Sequence, residues 1–526
     1  MFQTKAMINL FLYGIPCFLA LYVIITFFIH KLKNLPPTPF LCFPIIGHFY
    51  LLKKPLHRTL ANLSEAYGPT FYLRLGPWSV VVVSSQSAAR ECLRQNDIFP
   101  DNPQILASKF IGPYNAKVFS ALPYGQQWRT LRRILMSDLI YSGCPHLFLT
   151  ARQEEMKSLI RRLYRQSIQS SDDRGNNNVS NGGVVEVKGV FYELTYMIIM
   201  RVVVGEEWCN GENGKRLERV LKEMVKVGKS TNVVANYVPI LSKFGQERYL
   251  RKKFVRLHGE LDRILQDLID EQRSKLMNNE YEKDSRETSN CNKTLIQVML
   301  SLQLKDPVLY SDRIIKDFVL VLLVTGPDAC STTIEWVLSL LLNNQRVLHK
   351  AQAEIDNQVG PNRLIDEPDR LPYLECIIKE TLRMYPASPL LVPHEATKGC
   401  IVEGRFRVPP GTLLFINMWA IHNNPEYWDE PRKFKPERFE EGSQENMAGY
   451  KFMDFWSRNS QSSVDIMAIR SVGLIIGSLI QCFELETNGE KMVDMEEGVL
   501  LTTTKVKPLE ATLRPRPTML NLLSHI

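Results

Sequence analysis

The segment KETLRMYP (residues 379–386) carries the pattern Glu-x-x-Arg on a predicted helix. Glu380 and Arg383 are three residues apart, so they share one face of that helix and can form an ion pair. Taken alone, a pair at this spacing is usually an exposed surface ion pair that contributes little stability. A second arginine, Arg438, follows in FKPERF (residues 434–439). An arginine that reached the same carboxylate would make a buried triad instead.

The composition is that of a large globular protein. The chain has 526 residues, of which 45% are hydrophobic, and this suits a body with a substantial core. The ten cysteines are scattered without a Cys-x-x-Cys pair, which argues against a disulfide framework or a zinc site and favours a reducing compartment. A net charge of +8 is compatible with an anionic membrane surface or an acidic protein partner, and it is too diffuse to indicate nucleic acid.

The N-terminal segment predicts a membrane anchor. MINLFLYGIPCFLALYVIITFFIH (residues 7–30) contains no Asp, Glu, Lys or Arg, and its length matches a bilayer core of about 30 Å. A cleaved signal peptide is the alternative, although its apolar region is usually shorter and ends at small residues. Lys31 and Lys33 follow the segment, whereas only Lys5 precedes it. This difference favours a retained anchor with the body on the cytoplasmic side.

Proline residues separate the anchor from the body. NLPPTPFLCFPIIGH (residues 34–48) contains four prolines, which fix φ and remove backbone donors, so a stiff and extended spacer is expected. We therefore divide the chain into an anchor (residues 1–30), a hinge (residues 31–48) and a body (residues 49–526).

The body reads as mainly helical with a minor β portion. Residues 69–84 combine β-branched and aromatic residues around a Gly-Pro turn and predict a β-hairpin, and residues 399–417 predict short strands around a Pro-Pro-Gly turn. Two polar segments, 169–183 and 275–294, predict mobile surface loops. Helices are predicted near residue 128 and over residues 150–168, 215–230, 254–277, 312–343, 345–359 and 373–385.

Together these motifs resemble a known family. Glu-x-x-Arg followed by Pro-Glu-Arg-Phe, behind an anchor and a proline hinge, resembles the plant microsomal cytochromes P-450, the haem-thiolate monooxygenases. WRTLRRI (residues 128–134), LLVPHEAT (residues 390–397) and NMWAIHNNPEYWDEPRKFKPERF (residues 417–439) are similar to the isoflavone 2'-hydroxylase-like clade. The resemblance covers essentially the whole chain. It implies a cytochrome P-450 fold behind an N-terminal transmembrane helix in the endoplasmic reticulum membrane.

The resemblance also implies roles for individual residues. Trp128 and Arg132 match the family's Trp-x-x-x-Arg, which holds a haem propionate, and His394 lies where a basic residue often contacts the other propionate. The family's structural triad on the proximal side of the core is matched by Glu380, Arg383 and Arg438.

The predicted helix over residues 312–343 matches the family's distal helix. Its centre reads LLVTGPDACSTTIEW (residues 322–336), where the family has Ala-Gly-x-Asp-Thr and an acid–alcohol pair that delivers protons to dioxygen. Asp328 is present, but Ala329 occupies the position of the threonine. Thr332 lies about a turn further along and is not an equivalent replacement. Asp328, Thr332 and the later Glu335 are the candidate catalytic residues.

One segment departs from the family. YKFMDFWSRNSQSSVDI (residues 450–466) stands in register with the haem loop Phe-x-x-Gly-x-Arg-x-Cys-x-Gly. Ser462 occupies the position of the axial cysteine, whose thiolate favours O–O cleavage; a serine hydroxyl is a poor ligand for iron, because it ionises with far more difficulty than a thiol. The two glycines and the arginine are replaced at the other signature positions, which are Arg458, Ser460 and Val464. We expect no axial metal ligand here, and haem that is absent or weakly bound.

Three functions follow from this departure. The first is a haem-free or haem-impaired relative that binds a hydrophobic small molecule and catalyses a non-redox step, such as cyclisation, isomerisation or dehydration. The second is a non-catalytic membrane partner of an active cytochrome P-450 hydroxylase or of NADPH–cytochrome reductase. The third is an NADPH- and dioxygen-dependent hydroxylase with unusual haem ligation.

Overall fold

The computed structural model describes most of the chain, and several predicted site residues lie outside its described part. Trp128 and Arg132 are outside it, as is the predicted haem loop up to Ser462. The predicted helix near residue 128 is outside it as well. The described ranges are residues 15–94, 98–99, 145–172, 183–230, 245–281, 293–366, 369–391, 393–440, 463–489, 492–498 and 502–526.

The chain divides into two compact units, each built from three segments. The first unit comprises Met1–Gly125, Lys226–Arg256 and Leu390–Ile421, and the second comprises Gln126–Val225, Leu257–Pro389 and His422–Ile526. The division into anchor, hinge and body stays a prediction.

Helices dominate the described residues, with a minor β portion, as the sequence predicts. The α-helices are α1 Ile15–Leu32, α2 Leu56–Tyr67, α3 Gln86–Arg94, α4 Pro145–Asp172, α5 Val187–Val204, α6 Glu206–Asn210, α7 Glu212–Ser230, α8 Gly245–Tyr281, α9 Leu295–Gln303, α10 Asp312–Asn343, α11 Gln345–Gln358, α12 Pro372–Met384, α13 Met418–His422, α14 Ser463–Cys482 and α15 Leu520–His525. The strands are β1 Thr70–Leu75, β2 Trp78–Val83, β3 Gly183–Glu186, β4 His394–Glu395, β5 Cys400–Val402, β6 Phe406–Val408, β7 Leu413–Ile416, β8 Phe483–Thr487 and β9 Glu510–Pro515.

The first unit contains a four-stranded sheet in the order β1-β2-β7-β4. β1 and β2 form the predicted antiparallel hairpin, and Gly76 turns it with φ of +61°. β7 pairs with β2 in parallel and with β4 in antiparallel register. The run Val80–Val83 is fully buried, as expected for a strand that is covered on both faces. β5 and β6 form a separate antiparallel hairpin, so the strands predicted over residues 399–417 are confirmed.

The second unit is mainly helical around α10. Its three-stranded antiparallel sheet has the order β3-β9-β8. The C-terminal half of α10 is almost entirely buried and joins α4, α5, α12 and α14 in one apolar core. Pro327 lies inside α10, which nevertheless runs without a break from Asp312 to Asn343.

Two predicted loops are shorter than the sequence suggested. α4 continues to Asp172 and α8 continues to Tyr281, so the loop prediction was wrong for residues 169–172 and 275–281. In α8 the extension carries ion pairs, because Lys275 contacts Glu271 one turn earlier and Glu207 of α6, each at 3.1 Å. Charged pairs of this kind stabilise a polar helical turn that has no apolar pattern.

The hinge is tied to the first strand rather than free. The backbone N–H of Tyr72 donates to the Pro37 carbonyl over 2.7 Å, and that of His48 donates to Arg74 over 2.7 Å. The His48 Nδ1 atom accepts from the Arg74 N–H over 2.8 Å. None of the helices in the described ranges is both long and apolar enough to cross a membrane. The predicted anchor begins outside those ranges and stays a prediction.

Candidate functional site

The structure brings Glu380, Arg383 and Arg438 together in one buried network. The Glu380 carboxylate accepts from Arg383 Nε over 2.7 Å and from Arg438 Nε over 3.2 Å. The side chains of Glu380 and Arg383 are fully buried, and that of Arg438 nearly so. The alternative of an exposed ion pair is therefore wrong, because a second cation and burial distinguish this site from a surface pair.

Backbone carbonyls complete the network. Arg383 donates to the carbonyls of His422 and Pro431, each over 2.8 Å, and Arg438 donates to the Glu430 carbonyl over 2.9 Å. A planar guanidinium presents several donors in a fixed geometry, so each arginine can bind a carboxylate and a carbonyl together. The network thus connects α12 to the segment that contains the Pro-Glu-Arg-Phe motif.

The candidate catalytic residues of α10 differ in exposure. The Asp328 side chain is 19% exposed, whereas Thr332 and Glu335 are fully buried. The Thr332 hydroxyl has no hydrogen-bond partner in the described structure. Of the three candidates, Asp328 therefore offers the most accessible polar group.

Two side chains from other elements contact the Asp328 carboxylate. The Thr502 hydroxyl donates to Oδ2 over 3.0 Å, and Lys188 Nζ at the start of α5 lies 3.8 Å from Oδ1. Tyr192 is one turn further along α5. Its pKa is raised to about 12 by burial and, secondarily, by the negative charge of Asp328. The carboxylate thus has an alcohol partner and a cationic neighbour.

Glu335 is bound to the backbone of the C-terminal segment. Its Oε1 accepts from the Leu509 N–H over 3.0 Å, while Oε2 is buried without a hydrogen-bond partner in the described structure. Burial raises the pKa of the Glu335 carboxyl, against the opposing effects of the Leu509 bond and of Lys188 and Lys505. A carboxyl in this environment favours its protonated form more than an exposed one does.

His394, the predicted propionate contact, lies in the first unit. It is buried on β4 and pairs in register with Leu414 of β7. The other two residues predicted to contact haem, Trp128 and Arg132, lie outside the described ranges.

Burial raises the pKa of three cysteines of the second unit, to about 11 for Cys330 and Cys376 and to about 12 for Cys482. Cys482 ends α14, a helix of 20 residues that begins at Ser463, and it therefore lies roughly 28 Å along the axis from the first residue of that helix. In the described part of the chain, His, Cys, Asp and Glu form no cluster able to hold a metal ion.

Sequence reasoning did not identify Lys188 and Thr502. Lys188 follows a polar loop at the start of a helix, and Thr502 is one of three consecutive threonines. Neither pattern indicates contact with a carboxylate 140 or more residues away, because only the tertiary fold brings these segments to α10. The sequence signal that could have pointed to Thr502 is indirect, namely the alanine that follows Asp328.

A comparison with family models matches residues 36–510 to the model described as Cytochrome P450. The chain is 41% identical to Cytochrome P450 81Q32 of Catharanthus roseus, with 94% of each chain covered. It is 40% identical to Cytochrome P450 81D1 of Arabidopsis thaliana, covering 98% of this chain and 99% of that one. It is 36% identical to the isoflavone 3'-hydroxylase of Medicago truncatula, covering 93% and 94%.

Solved structures agree with the fold. A zebra fish cytochrome P450 in a structure with progesterone superposes with a TM-score of 0.71 at 23% identity, covering 88% of this chain and all of that chain. The corresponding structure with abiraterone gives a TM-score of 0.69 at 23% identity, with the same coverage. At this identity the likeness concerns the fold alone.

Proposed function

This chain belongs to the cytochrome P450 family, and we propose that it binds a hydrophobic small molecule of plant specialised metabolism but has lost the family's haem-thiolate chemistry. Family membership supports the hydrophobic ligand, since the related zebra fish protein carries progesterone or abiraterone in its structures. Relatives named as a hydroxylase and as a (+)-piperitol/(+)-sesamin synthase support specialised metabolism.

The observation that carries the proposal is Ser462. It stands at the cysteine position of a segment in register with the haem loop, and Arg458, Ser460 and Val464 replace three further signature residues. An alcohol is a poor donor to haem iron compared with a thiolate.

Proton chemistry remains possible without haem. The Asp328 side chain is 19% exposed, so its carboxylate can reach a bound molecule and accept a proton from it. Burial raises the pKa of Glu335, which is fully enclosed. We therefore assign proton acceptance to Asp328, and the class of reaction is a non-redox cyclisation, isomerisation or dehydration.

We further propose that the protein is held at the endoplasmic reticulum membrane by its N-terminal segment, with the body facing the cytoplasm. The uncharged run of residues 7–30 supports this location. So do the exposed apolar side chains of α1, such as Phe18 and Phe28. We expect the protein to resist alkaline extraction from microsomes, and its body to be sensitive to protease in sealed vesicles. Release by alkali would contradict this proposal.

The first experiment records the reduced, CO-bound absorption spectrum of the full chain in microsomes. We expect no Soret band of thiolate-ligated haem, because Ser462 does not supply a thiolate. The isoflavone 3'-hydroxylase of Medicago truncatula, a relative named as a hydroxylase, serves as the positive control. A thiolate band of comparable intensity per protein would refute the proposal.

The second experiment compares turnover of phenolic and isoflavonoid compounds with and without NADPH. Product formation that is independent of NADPH and dioxygen, and that is lost in Asp328→Ala, is the expected result. Turnover that requires NADPH would instead establish a hydroxylase with unusual haem ligation, a candidate favoured by the match of 93% of this chain to a named hydroxylase. Binding without turnover under either condition would indicate a non-catalytic partner.

A further inference from the structure

Asp328 and Glu335 contact the same C-terminal segment at its two ends. We call residues 502–509 the strap. Thr502 at its start donates to Asp328, and the Leu509 N–H at its end donates to Glu335. The two acids are seven residues apart and therefore lie on one side of α10, about 10 Å from each other along the helix axis.

The strap is not extended, so contacts at its two ends contribute to fixing its conformation. Seven residues in extended conformation would span roughly 23 Å, which is more than twice the separation of the two acids along α10. Between residue 502 and β9 the strap forms one isolated antiparallel bridge, Lys505 with Glu497, and no continuous ladder of strand hydrogen bonds. Its conformation must come from individual contacts.

The middle of the strap is bound to neighbouring aromatic and backbone groups. The Trp336 indole N–H donates to the Thr503 carbonyl, and the Thr503 hydroxyl donates to the Pro386 carbonyl over 2.5 Å. Lys505 Nζ lies 5.0 Å from the centre of the Trp336 ring, and Tyr385 stacks on Trp336 with ring centres 3.8 Å apart. These contacts hold the middle, whereas the acids hold the ends.

The contact at Thr502 also accounts for the sequence anomaly in α10. Ala329 has no hydroxyl, so the residue adjacent to Asp328 cannot provide the alcohol of an acid–alcohol pair. Thr502 provides a hydroxyl at 3.0 Å from the same carboxylate. A hydrogen bond to a charged acceptor is worth roughly twice a neutral one, so this contact is a strong attachment for the start of the strap.

We propose that Asp328 and Glu335 are positioning residues that fix the two ends of the strap along α10, and that Thr502 supplies the hydroxyl partner that Ala329 lacks. The inference goes beyond the proposed reaction, because it concerns the conformation of the strap whether or not Asp328 accepts a proton from a ligand.

Hydrogen–deuterium exchange of the full chain, measured by mass spectrometry without substrate or haem, tests the inference. The reporters are the amides of Thr503 and Thr504, which donate to backbone carbonyls and not to Asp328. In Thr502→Val we expect these amides to exchange about tenfold faster, because the start of the strap is released. Thr502→Ser keeps the hydroxyl and is expected to exchange as the wild type does.

Matched variants of the acids complete the series. Asp328→Ala is expected to behave as Thr502→Val, and Asp328→Asn to retain most of the protection, since its amide oxygen still accepts. At the other end, Glu335→Leu should accelerate exchange at Leu509, whereas Glu335→Gln should not. Thr333→Val is the control, because the hydroxyl that it removes donates to the Ala329 carbonyl within α10.

Equal exchange of Thr503 and Thr504 in Thr502→Val and wild type would overturn the inference. Equal acceleration in Thr502→Ser and Thr502→Val would also overturn it, since the hydroxyl would then be irrelevant. If Asp328→Ala fails to fold, the two Thr502 variants alone decide. The exchange experiment does not measure turnover. A negative result would therefore refute the inference about the strap and would not bear on the proposed function.

Discussion

The surroundings of single residues decide whether a Glu-x-x-Arg pair is a surface ion pair or part of a buried network. Glu380 and Arg383 have the spacing of an ordinary surface pair, yet both side chains are fully buried and Arg438 binds the same carboxylate. Two cations around one carboxylate are stable in a protein interior only when further acceptors are present. Here the carbonyls of His422, Pro431 and Glu430 are those acceptors.

Removing the central charge of this network should be strongly destabilising. We expect Glu380→Gln to lower the free energy of unfolding by about 3–5 kcal/mol, because two buried guanidinium groups lose their counter-charge. Urea titration of the full chain measures the change. Glu375→Gln on the same helix is the control: its partner Lys379 lies 3.8 Å away and both side chains are exposed, so the loss should stay below about 1 kcal/mol. Equal losses in the two variants would contradict the buried network.

The environment of Glu335 predicts a pH-dependent stability. Burial raises the pKa of this carboxyl in the folded protein above its ordinary value of 4.5. Its contribution to stability is therefore complete below that value and is lost as pH rises through the folded pKa. Glu335→Gln keeps the Leu509 hydrogen bond and removes the ionisation.

We accordingly expect the melting temperature of Glu335→Gln, relative to the wild type, to increase as the pH rises from 4.5 towards neutrality. Thermal unfolding of both proteins over that range measures the difference. A constant difference for Glu335→Gln would refute the prediction.

Residue identities alone predicted part of the site. The pairing of Glu380 with Arg383 followed from helical spacing, and Asp328 was found through the motif that contains it. Thr502 and Lys188 were not found, because their contacts with Asp328 join segments that are distant in sequence. The sequence also did not predict which side chains of α10 are buried. Glu335 is fully enclosed, although it lies only two turns from the partly exposed Asp328.

At the scale of elements, six predicted helices are present in the described residues, most of them with shifted ends, whereas α2, α3, α5 and α9 were not predicted. The sequence predicted α10 with the bounds that the structure has, because its apolar pattern ends at a polar Asn-Asn pair. It ended α8 too early, because the last turns are polar and depend on ion pairs such as that of Lys275 with Glu207. Such contacts depend on a second element and leave no periodic signal.

α10 approaches α5 closely at Gly326. A β-carbon at Gly326 would lie 2.7 Å from Ile199 Cδ1, whereas a β-carbon at Gly259 of α8 would meet no atom within 4 Å. Glycine-to-alanine changes inside helices stabilise by about 1 kcal/mol when space is available. We therefore expect Gly259→Ala to be stabilising and Gly326→Ala to gain less or to destabilise.

The methyl group of Ile199 provides the control for this prediction. Ile199→Val removes the atom that a β-carbon at residue 326 would meet. In that background, Gly326→Ala should give the stabilisation that alanine normally has over glycine in a helix. Denaturant unfolding of the wild type, the two single variants and the double variant gives a double-mutant cycle. We expect a favourable coupling between the two substitutions in the free energy of unfolding. Additive effects of Ile199→Val and Gly326→Ala would show that the two positions do not compete for space.

For the whole molecule, the family's scaffold contrasts with the proposed loss of the haem loop at residues 450–466. The family model matches residues 36–510, and the core of the second unit joins α10, α12 and α14. The fold could be predicted from the sequence because many ordered motifs agree. The chemistry could not, because the proposed loss of the axial ligand concerns Ser462, which lies outside the described residues, and because the contacts of Asp328 are recorded by no motif.

This contrast leads to a prediction about restoring the loop. Ser462→Cys alone should not give the reduced, CO-bound spectrum of thiolate-ligated haem, although it supplies the sulfur. Arg458 and Val464 still bring bulk and restricted φ/ψ where the family has glycine, and Ser460 still lacks a guanidinium for a propionate. The combined change Arg458→Gly, Ser460→Arg, Ser462→Cys and Val464→Gly should give that spectrum, because the scaffold around the segment belongs to the family.

The control is the combined change without the cysteine, Arg458→Gly, Ser460→Arg and Val464→Gly, which should leave the thiolate band absent because serine remains the axial residue. Spectra are recorded in microsomes at matched protein amounts, and far-UV circular dichroism of each purified protein verifies folding. A thiolate band in Ser462→Cys alone would show that the other three substitutions do not impair the loop. No band in the folded quadruple variant would show that the loss of haem chemistry extends beyond the segment, and Ala329→Thr in that background would then test whether α10 is the second cause.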